Sequence, residues 1–278
     1  MRPPATSRTV STILGVGEIA QCTVFSSLPE HGNPTAVMRL SEWPCAHRLQ
    51  ELALSSGVAE ATFVVGQPGE MEMRWFAGDH EIPLCGHGAL AASALFMGMF
   101  TPDELYEVRN LRGRLWLGHT DDQALVAFQR VLLDELPAHR LNFGVQVHRV
   151  FDAGRDYLVV LEDEEELLTY QPNSTLLGSL VKVGCILTAP CAHGTAAFRF
   201  FAPRVGIPED RASGSVIPAL VEYWGRDGQR TFEFLQRSGW DIRIPARNQD
   251  GRIMVMGDVI ESSRALLAPL PPEVWRRT

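Results

Sequence analysis

The sequence predicts an α+β fold in which a sheet wrapped around one helix is made twice. Two observations support this prediction. First, residues 74–99 and 199–224 repeat one plan: a short strand, a glycine-containing turn and an apolar helix. Second, many short strand patterns accompany only two long apolar helices in a chain of 278 residues. Because these helices are apolar nearly all round, we expect each to be buried on all sides.

The repeat is visible residue by residue. Two pairs of segments match at an offset of 125 (199 − 74 and 207 − 82): Arg74-Trp75-Phe76-Ala77 with Arg199-Phe200-Phe201-Ala202, and Ile82-Pro83 with Ile207-Pro208. After a short insertion, Cys85-Gly86-His87 matches Ser213-Gly214-Ser215 at an offset of 128 (213 − 85). Each copy therefore ends in a glycine turn that leads into a helix.

These two turns are candidate sites for binding a carboxylate. A helix N-terminus offers unpaired backbone N–H groups and the positive end of the helix dipole, and glycine lets a ligand approach the backbone. The expected substrate-binding residues are Cys85, Gly86, Gly88, Ser213 and Gly214. The two turns could face one another across a single cleft. The alternative is that they only begin two core helices.

The elements of the first copy follow from hydrophobic periodicity. Apolar residues at helical spacing predict one amphipathic helix over residues 44–55. Short apolar or alternating runs predict strands at residues 20–25, 35–38, 62–65, 72–76, 106–109, 114–117 and 124–130. Glu60 stands where the helix gives way to an apolar strand. An acid in that place is a candidate functional group, and the alternative is a solvated loop carboxylate.

The second copy is predicted to begin near Val147. Its strands are expected at residues 150–154, 157–161, 185–189, 197–201, 231–236, 241–245 and 252–256. The acidic run at residues 162–166 is expected to be a solvated turn or the first turn of a helix. We expect one lobe over residues 10–128, joined by about 263–278, and a second lobe over residues 129–262.

Composition excludes several classes of function. The net charge of −8 and the lack of any Lys/Arg run argue against a nucleic-acid partner. No apolar run reaches the roughly 18 to 20 residues that span a bilayer, so no membrane partner is expected. Residues 1–10 lack the apolar core of a signal peptide, and residues 1 to about 15 read as a loose leader. A cytoplasmic protein is therefore expected.

The five cysteines give no sign of a disulfide framework or a metal site. Their number is odd, and neither a CxxC pair nor a Cys/His cluster of zinc type occurs. They are expected to be reduced thiols.

Four ordered segments resemble the phenazine-biosynthesis PhzF-like family, which shares its fold with diaminopimelate epimerase and proline racemase. They are Gly32-Asn33-Pro34-Thr35-Ala36-Val37, Glu60-Ala61-Thr62-Phe63-Val64, Glu81-Ile82-Pro83-Leu84-Cys85-Gly86-His87, and residues 201–215 with Phe201-Ala202-Pro203, Gly206-Ile207-Pro208-Glu209-Asp210 and Ser213-Gly214-Ser215. Any one of these segments is weak evidence. Their common order and spacing are strong evidence for the family and weaker evidence for the substrate.

The resemblance implies two pseudo-symmetric lobes, each a barrel-like mixed sheet around a central helix, with the active site in the cleft between them. It implies no metal and no organic cofactor. Glu60 would be the general acid/base, while His87, Asp210 and Ser215 would hold the substrate and help to place protons. A homodimer and a role in secondary metabolism are further implications of the resemblance.

The chemistry of these residues fits a proton shift on a small unsaturated or α-amino carboxylic acid. Burial beside Phe63 and Trp75 could raise the pKa of Glu60 towards the working pH of a general base. Asp210 could orient an amino group, and Ser215 could donate a hydrogen bond to a carboxylate.

Two alternatives stay open. One is a Cys-dependent amino-acid epimerase or dehydratase, although Cys85 matches Ser213 in the repeat and a serine is a poor base without an activating partner. The other is a protein that binds a small acid without catalysis.

Overall fold

The computed structural model describes residues 12–28, 30–111, 113–120, 123–225 and 228–267. These residues divide into two units. Unit one comprises the described residues within Met1–Ala127 and Met256–Thr278, and unit two comprises those within Phe128–Val255. Residues 1–11 of the predicted leader and residues 268–278 of the predicted return segment lie outside the described residues. No helix in the described ranges is long and apolar enough to cross a membrane.

Strands dominate both units. Those that begin in unit one are β1 Glu18–Val24, β2 Asn33–Leu40, β3 Glu60–Val65, β4 Met71–Ala77, β5 His80–Ile82, β6 Leu105–Asn110, β7 Gly113–His119, β8 Ala124–Gln129 and, near the end of the chain, β18 Val259–Leu266. Those that begin in unit two are β9 Asp134–Leu136, β10 Arg149–Ala153, β11 Asp156–Val160, β12 Gly184–Ala189, β13 Ala196–Ala202, β14 Ile207–Asp210, β15 Thr231–Arg237, β16 Asp241–Gln249 and β17 Arg252–Met256. The α-helices are α1 Ala46–Ser55, α2 Gly86–Leu95, α3 Glu164–Thr169, α4 Ser174–Ser179 and α5 Ile217–Trp224.

The sheet of unit one is mixed and packs around α2. β1 pairs antiparallel with β18 and β2, β2 runs parallel to β3, and β4 pairs antiparallel with β3 and β5 and parallel with β6. β6, β7 and β8 then pair antiparallel in order. α2 contacts β1, β2, β3, β7 and β18, and every residue of α2 is buried. This confirms the sheet around a helix that the apolar sequence predicts.

Unit two repeats the same order of pairings. β10 and β11 are antiparallel, β11 and β12 parallel, and β13 pairs antiparallel with β12 and β14 and parallel with β15. β15, β16 and β17 follow antiparallel. The strands β10–β17 therefore correspond to β1–β8, and the α+β fold with a doubled unit is confirmed.

β3 shows how one strand serves two helices. Successive side chains of a strand point to opposite faces. Ala61 and Phe63 pack in a buried cluster with Leu49 and Leu52 of α1. Thr62 points the other way, towards α2, where a Cβ on Gly88 would lie only 2.2 Å from its Oγ1. Glu60 shares the face of Thr62, so the register of β3 directs this acid to the α2 side.

Helix starts differ in detail from the glycine turns expected from the sequence. In unit one, Cys85 is the N-cap, and Gly86 is already the first residue of α2. In unit two, a 3-10 turn at Gly214–Val216 precedes α5, which carries Pro218 in its first turn. The acidic run of residues 162–166 does begin a helix, because Asp163 caps α3 by accepting a hydrogen bond from Glu166 N.

Gly184 of β12 tests the packing of unit two. A Cβ at this position would lie 2.4 Å and 2.7 Å from ring atoms of Phe200 and 2.9 Å from Asp156 Oδ1. We predict that Gly184→Ala lowers the free energy of unfolding by roughly 1 to 3 kcal/mol, because the Phe200 ring must move to make room for the new methyl group. Urea unfolding measures the change.

Gly178→Ala in α4 is the matched control. Its new Cβ would meet nothing closer than 3.9 Å, from Pro203. Since alanine favours a helix over glycine, this variant is expected to be more stable by roughly 0.5 to 1 kcal/mol. A Gly184→Ala protein that unfolds at the wild-type midpoint would show that the Phe200 ring does not fill this space.

Candidate active site

Glu60 is a buried acid at the start of a strand. It is the first residue of β3 and only 6% exposed. Its backbone carbonyl accepts a hydrogen bond from Thr35 Oγ1 at 3.0 Å, which ties the start of β3 to the neighbouring strand. The alternative of a solvated loop carboxylate is therefore wrong. An acid is almost never buried in this way without a partner or a function.

Cys85 and His87 lie at the N-terminus of α2, and both are 2% exposed. Cys85 Sγ accepts a hydrogen bond from Gly88 N at 3.3 Å, as an N-cap side chain does. The His87 ring is close to the same sulfur, with Nδ1 at 3.6 Å and Nε2 at 3.8 Å. Asn33 Nδ2 is 3.2 Å from His87 Nδ1, so β2 contributes a polar partner that fixes the ring.

The structure brings Glu60, Cys85 and His87 into one buried cluster. A carboxylate oxygen of Glu60, the sulfur of Cys85 and a ring nitrogen of His87 all lie within 4.8 Å of one another. An acid, a thiol and an imidazole at this range can exchange protons with each other or with a small molecule between them. Two of the predicted catalytic residues and one predicted substrate-binding residue therefore share a site.

Two buried polar groups lie beside this cluster. Thr62 Oγ1 and Trp75 Nε1 have no hydrogen-bond partner among the described residues. A Cβ on Gly88 would lie 2.2 Å from Thr62 Oγ1, 2.9 Å from Cys85 Sγ and 3.4 Å from the Trp75 ring. Glycine is therefore required at residue 88 for α2 to approach β3. Buried polar atoms without partners are uncommon, and such groups are free to bind a ligand or water.

In unit two, Asp210 and Ser213 form a hydrogen-bonded pair. Ser213 Oγ donates to Asp210 Oδ2 at 2.5 Å. The fully buried Gln236 of β15 holds both: its Oε1 accepts from Ser213 N at 2.6 Å, and its Nε2 donates to Asp210 O at 2.6 Å. The loop between β14 and the 3-10 turn is thus fixed by a side chain that the sequence analysis missed. The available signal was a glutamine placed directly after Phe234 and Leu235 in a predicted strand.

Ser215 has a different partner. Arg155 Nη2 donates to Ser215 Oγ at 3.0 Å, and its guanidinium also binds the buried Asp156 carboxylate, with Nη2 2.6 Å from Oδ2. Asp156 thereby holds a cation beside the turn that contains Gly214 and Ser215. Arg155 was also missed from the sequence, where it stands next to a glycine in an ordinary hairpin turn.

Only one copy of the repeat can carry the buried acid. Ala61 pairs with Phe76, and Cys185 pairs with Phe201, the residue that matches Phe76 in the repeat. Glu60, one residue before Ala61, therefore corresponds to Gly184. As the Phe200 ring occupies the space of a Cβ there, unit two has no room for a second carboxylate at this position.

One cavity among the described residues of unit two includes none of the predicted site residues. It has a volume of about 400 Å³ and is lined by Arg130, Glu222, Arg230, Asn248 and Asp250, among others. Arg130 and Glu222 form an ion pair across its wall, with Nη2 2.7 Å from Oε1. This cavity therefore lies among residues to which the sequence assigns no role.

Two of the remaining cysteines are poor candidates for chemistry. Burial raises the pKa of the Cys22 thiol to about 12, and burial also raises the pKa of Cys185. Since the thiolate is the reactive form, both thiols are inert at neutral pH.

Comparisons with known proteins identify the family of this chain. The family model described as "Phenazine biosynthesis-like protein" matches residues 22–256. Two proteins of Pseudomonas aeruginosa, both named as uncharacterized isomerases, are each 31% identical to this chain. The two alignments cover 75% and 86% of this chain and 82% and 94% of the relatives.

Solved structures agree. A putative phenazine biosynthesis PhzC/PhzF protein from Clostridium difficile superposes with a TM-score of 0.77 at 25% identity, covering 91% of this chain and 99% of that chain. A hydroxyproline epimerase from Agrobacterium vitis superposes with a TM-score of 0.59 at 11% identity, covering 93% of this chain and 96% of that one. The second likeness concerns the fold alone.

Gln236 tests how the Asp210–Ser213 loop is held. We predict that Gln236→Leu lowers the free energy of unfolding by roughly 1 to 3 kcal/mol for each buried group left unsatisfied, namely Ser213 N–H and Asp210 C=O. Gln171→Leu, which removes an exposed side chain bonded to Thr169 O, is the control and is expected to change stability by less than about 0.5 kcal/mol. Equal losses in the two variants would show that Gln236 does not support the loop.

Proposed function

The chain belongs to the phenazine biosynthesis-like protein family and is an isomerase, and we propose that it moves a proton within a small unsaturated or α-amino carboxylic acid, with Glu60 as the general acid/base. The single observation that carries this proposal is the burial of Glu60 within 4.8 Å of the Cys85 sulfur and a His87 nitrogen. A buried carboxylate beside an imidazole is suited to take a proton from carbon and to return it elsewhere.

His87 is the proposed partner of Glu60. The imidazole is held by Asn33 at Nδ1, and it stands in the first turn of α2. It can donate a hydrogen bond to charge that develops on the substrate when the proton leaves. The backbone N–H groups of this turn have no partner inside the helix, and the helix end favours a carboxylate. Gly88 lets this turn lie close to β3, the strand that carries Glu60.

The residues of unit two are proposed to bind the polar groups of the substrate. Arg155, held by Asp156, and the hydroxyl of Ser215 offer positive charge and a donor for a carboxylate. Asp210 and Ser213 offer a carboxylate and a hydroxyl for an amino or hydroxyl group. The sequence predicts that one substrate molecule contacts both these residues and Glu60, in a cleft between the two lobes. This stays a prediction. A cytoplasmic homodimer with a role in secondary metabolism also stays a prediction.

A symmetric two-thiol racemase is disfavoured by the asymmetry of the repeat. Cys85 is matched by Ser213, whose hydroxyl donates to the Asp210 carboxylate. A carboxylate is a far weaker base than a serine alkoxide, so Asp210 does not activate Ser213 as a base. A Cys-dependent one-base reaction is the competing enzyme hypothesis, and a small-acid-binding protein is the competing hypothesis without catalysis.

Proton exchange in D₂O, followed by NMR, tests the proposal. Wild type is incubated with a panel of cyclic and dihydroaromatic amino and hydroxy acids, and deuterium incorporation into carbon positions is recorded. We predict exchange with wild type and a loss of about 10²- to 10⁴-fold in Glu60→Gln, because the general base is removed. Glu107→Gln, which changes an exposed carboxylate of β6, is the matched control and should exchange at the wild-type rate.

The same assay separates the alternatives. Exchange that survives in Glu60→Gln and disappears in Cys85→Ala would replace the proposed mechanism with the thiol mechanism. Binding of a panel compound that shifts its NMR signals without any exchange would favour a small-acid-binding protein.

A further inference from the structure

We propose that Glu60, Cys85 and His87 form a binding site for one thiophilic divalent cation such as Zn²⁺, and that this ion inhibits the protein. The ion is an inhibitor here and not a cofactor. The binding half of this inference depends only on the geometry of unit one. The inhibition half rests on the proposed role of Glu60.

The three ligand types are those that zinc prefers. Thiolate, imidazole and carboxylate each bind Zn²⁺, and three protein ligands with an open fourth position form a common arrangement. Around a tetrahedral zinc ion with bonds of about 2.0 to 2.3 Å, ligand atoms lie about 3.5 Å apart. The Cys85 sulfur is already 3.6 Å and 3.8 Å from the two His87 nitrogens. All three ligand atoms lie within 4.8 Å of one another, so small side-chain rotations complete the site.

The surroundings favour a bound ion. Cys85 caps α2 and accepts the Gly88 N–H, and negative charge on its sulfur is stabilised at a helix N-terminus. Asn33 contacts His87 Nδ1. A half-turn of the Asn33 amide exchanges its nitrogen and oxygen, so that Oδ1 can accept a hydrogen bond from His87 Nδ1–H. The other ring nitrogen, Nε2, then carries no proton and can bind the ion. Histidine ligands of metals are held by an outer hydrogen bond of this kind.

The same geometry explains inhibition. An ion bound to the Glu60 carboxylate occupies the oxygen that must receive the substrate proton. The sulfur ligand makes the site selective, because thiolates prefer Zn²⁺ and related soft ions over Mg²⁺ and Ca²⁺. We therefore expect micromolar zinc to inhibit and millimolar magnesium to have no effect.

Cobalt substitution tests the site without any substrate. Metal-free wild-type protein is titrated with Co²⁺, whose bond to a thiolate gives a near-ultraviolet charge-transfer band, and Zn²⁺ binding is measured by calorimetry. We expect one ion per chain, a band in wild type, and no band in Cys85→Ser. Asn33→Ala is expected to keep the band and to weaken Zn²⁺ binding by about 10- to 100-fold. The exposed Cys45, N-cap of α1, provides the control, and Cys45→Ser should behave as wild type.

Folding is checked in parallel. Thermal unfolding of wild type is expected to shift upwards with added Zn²⁺, since an ion that binds only the folded state stabilises it. A Cys85→Ser protein that unfolds cooperatively, and whose unfolding temperature does not rise with Zn²⁺, would support the metal site. A wild-type protein without the thiolate band, or a band that survives in Cys85→Ser and disappears in Cys45→Ser, would overturn the inference.

The inhibition half uses the exchange assay. One equivalent of Zn²⁺ should suppress deuterium exchange, a chelator should restore it, and Mg²⁺ should leave it unchanged. Deuterium exchange at the full rate with zinc bound would overturn the proposed inhibition, but it would not contradict the metal site. If no compound exchanges, the proposed function fails, while the cobalt and calorimetry results still decide the metal site.

Discussion

The close approach of α2 to β3 at Gly88 is the constraint on which the candidate site depends. No side chain fits at residue 88, because a Cβ there would collide with Thr62 Oγ1 and Cys85 Sγ. This approach places the first turn of α2 beside the face of β3 that carries Glu60 and Thr62. Complete burial of α2 within its sheet holds the turn in place. The acid, the thiol and the imidazole therefore meet because of backbone packing.

The doubled fold carries one candidate site and a modified copy of it. The order of parallel and antiparallel pairings is the same in both units, yet the functional positions differ. Glu60 becomes Gly184, Cys85 becomes Ser213 and His87 becomes Ser215. The ring of Phe200 fills the space that a carboxylate would need at Gly184. The second copy instead holds Arg155 and Asp210, groups suited to bind a substrate. The two copies therefore share one order of strand pairing and differ in the side chains at these positions.

The sequence predicted the repeat because each copy conserves a pattern that local physics imposes: a strand period of two, a glycine at a helix start and an apolar helix. Glu60 stood out because an acid seldom begins an apolar strand. What the sequence could not show were contacts made across the fold. Asn33, Thr62 and Gln236 lie in strands whose neighbours are set by sheet topology, so the sequence does not show which groups their side chains contact. The proximity of Glu60 to Cys85 is likewise a result of β3 packing on α2.

The stereochemistry of the proton shift tests the single-base account most directly. A substrate found by exchange would be deuterated at the carbon that loses its proton and converted in H₂O in a single turnover. If one buried carboxylate both removes and returns the proton, the product retains part of the deuterium. The deuterium is then at the new carbon, on the same face of the molecule. A product with only solvent hydrogen, added to the opposite face, would require a second acid and would contradict the account.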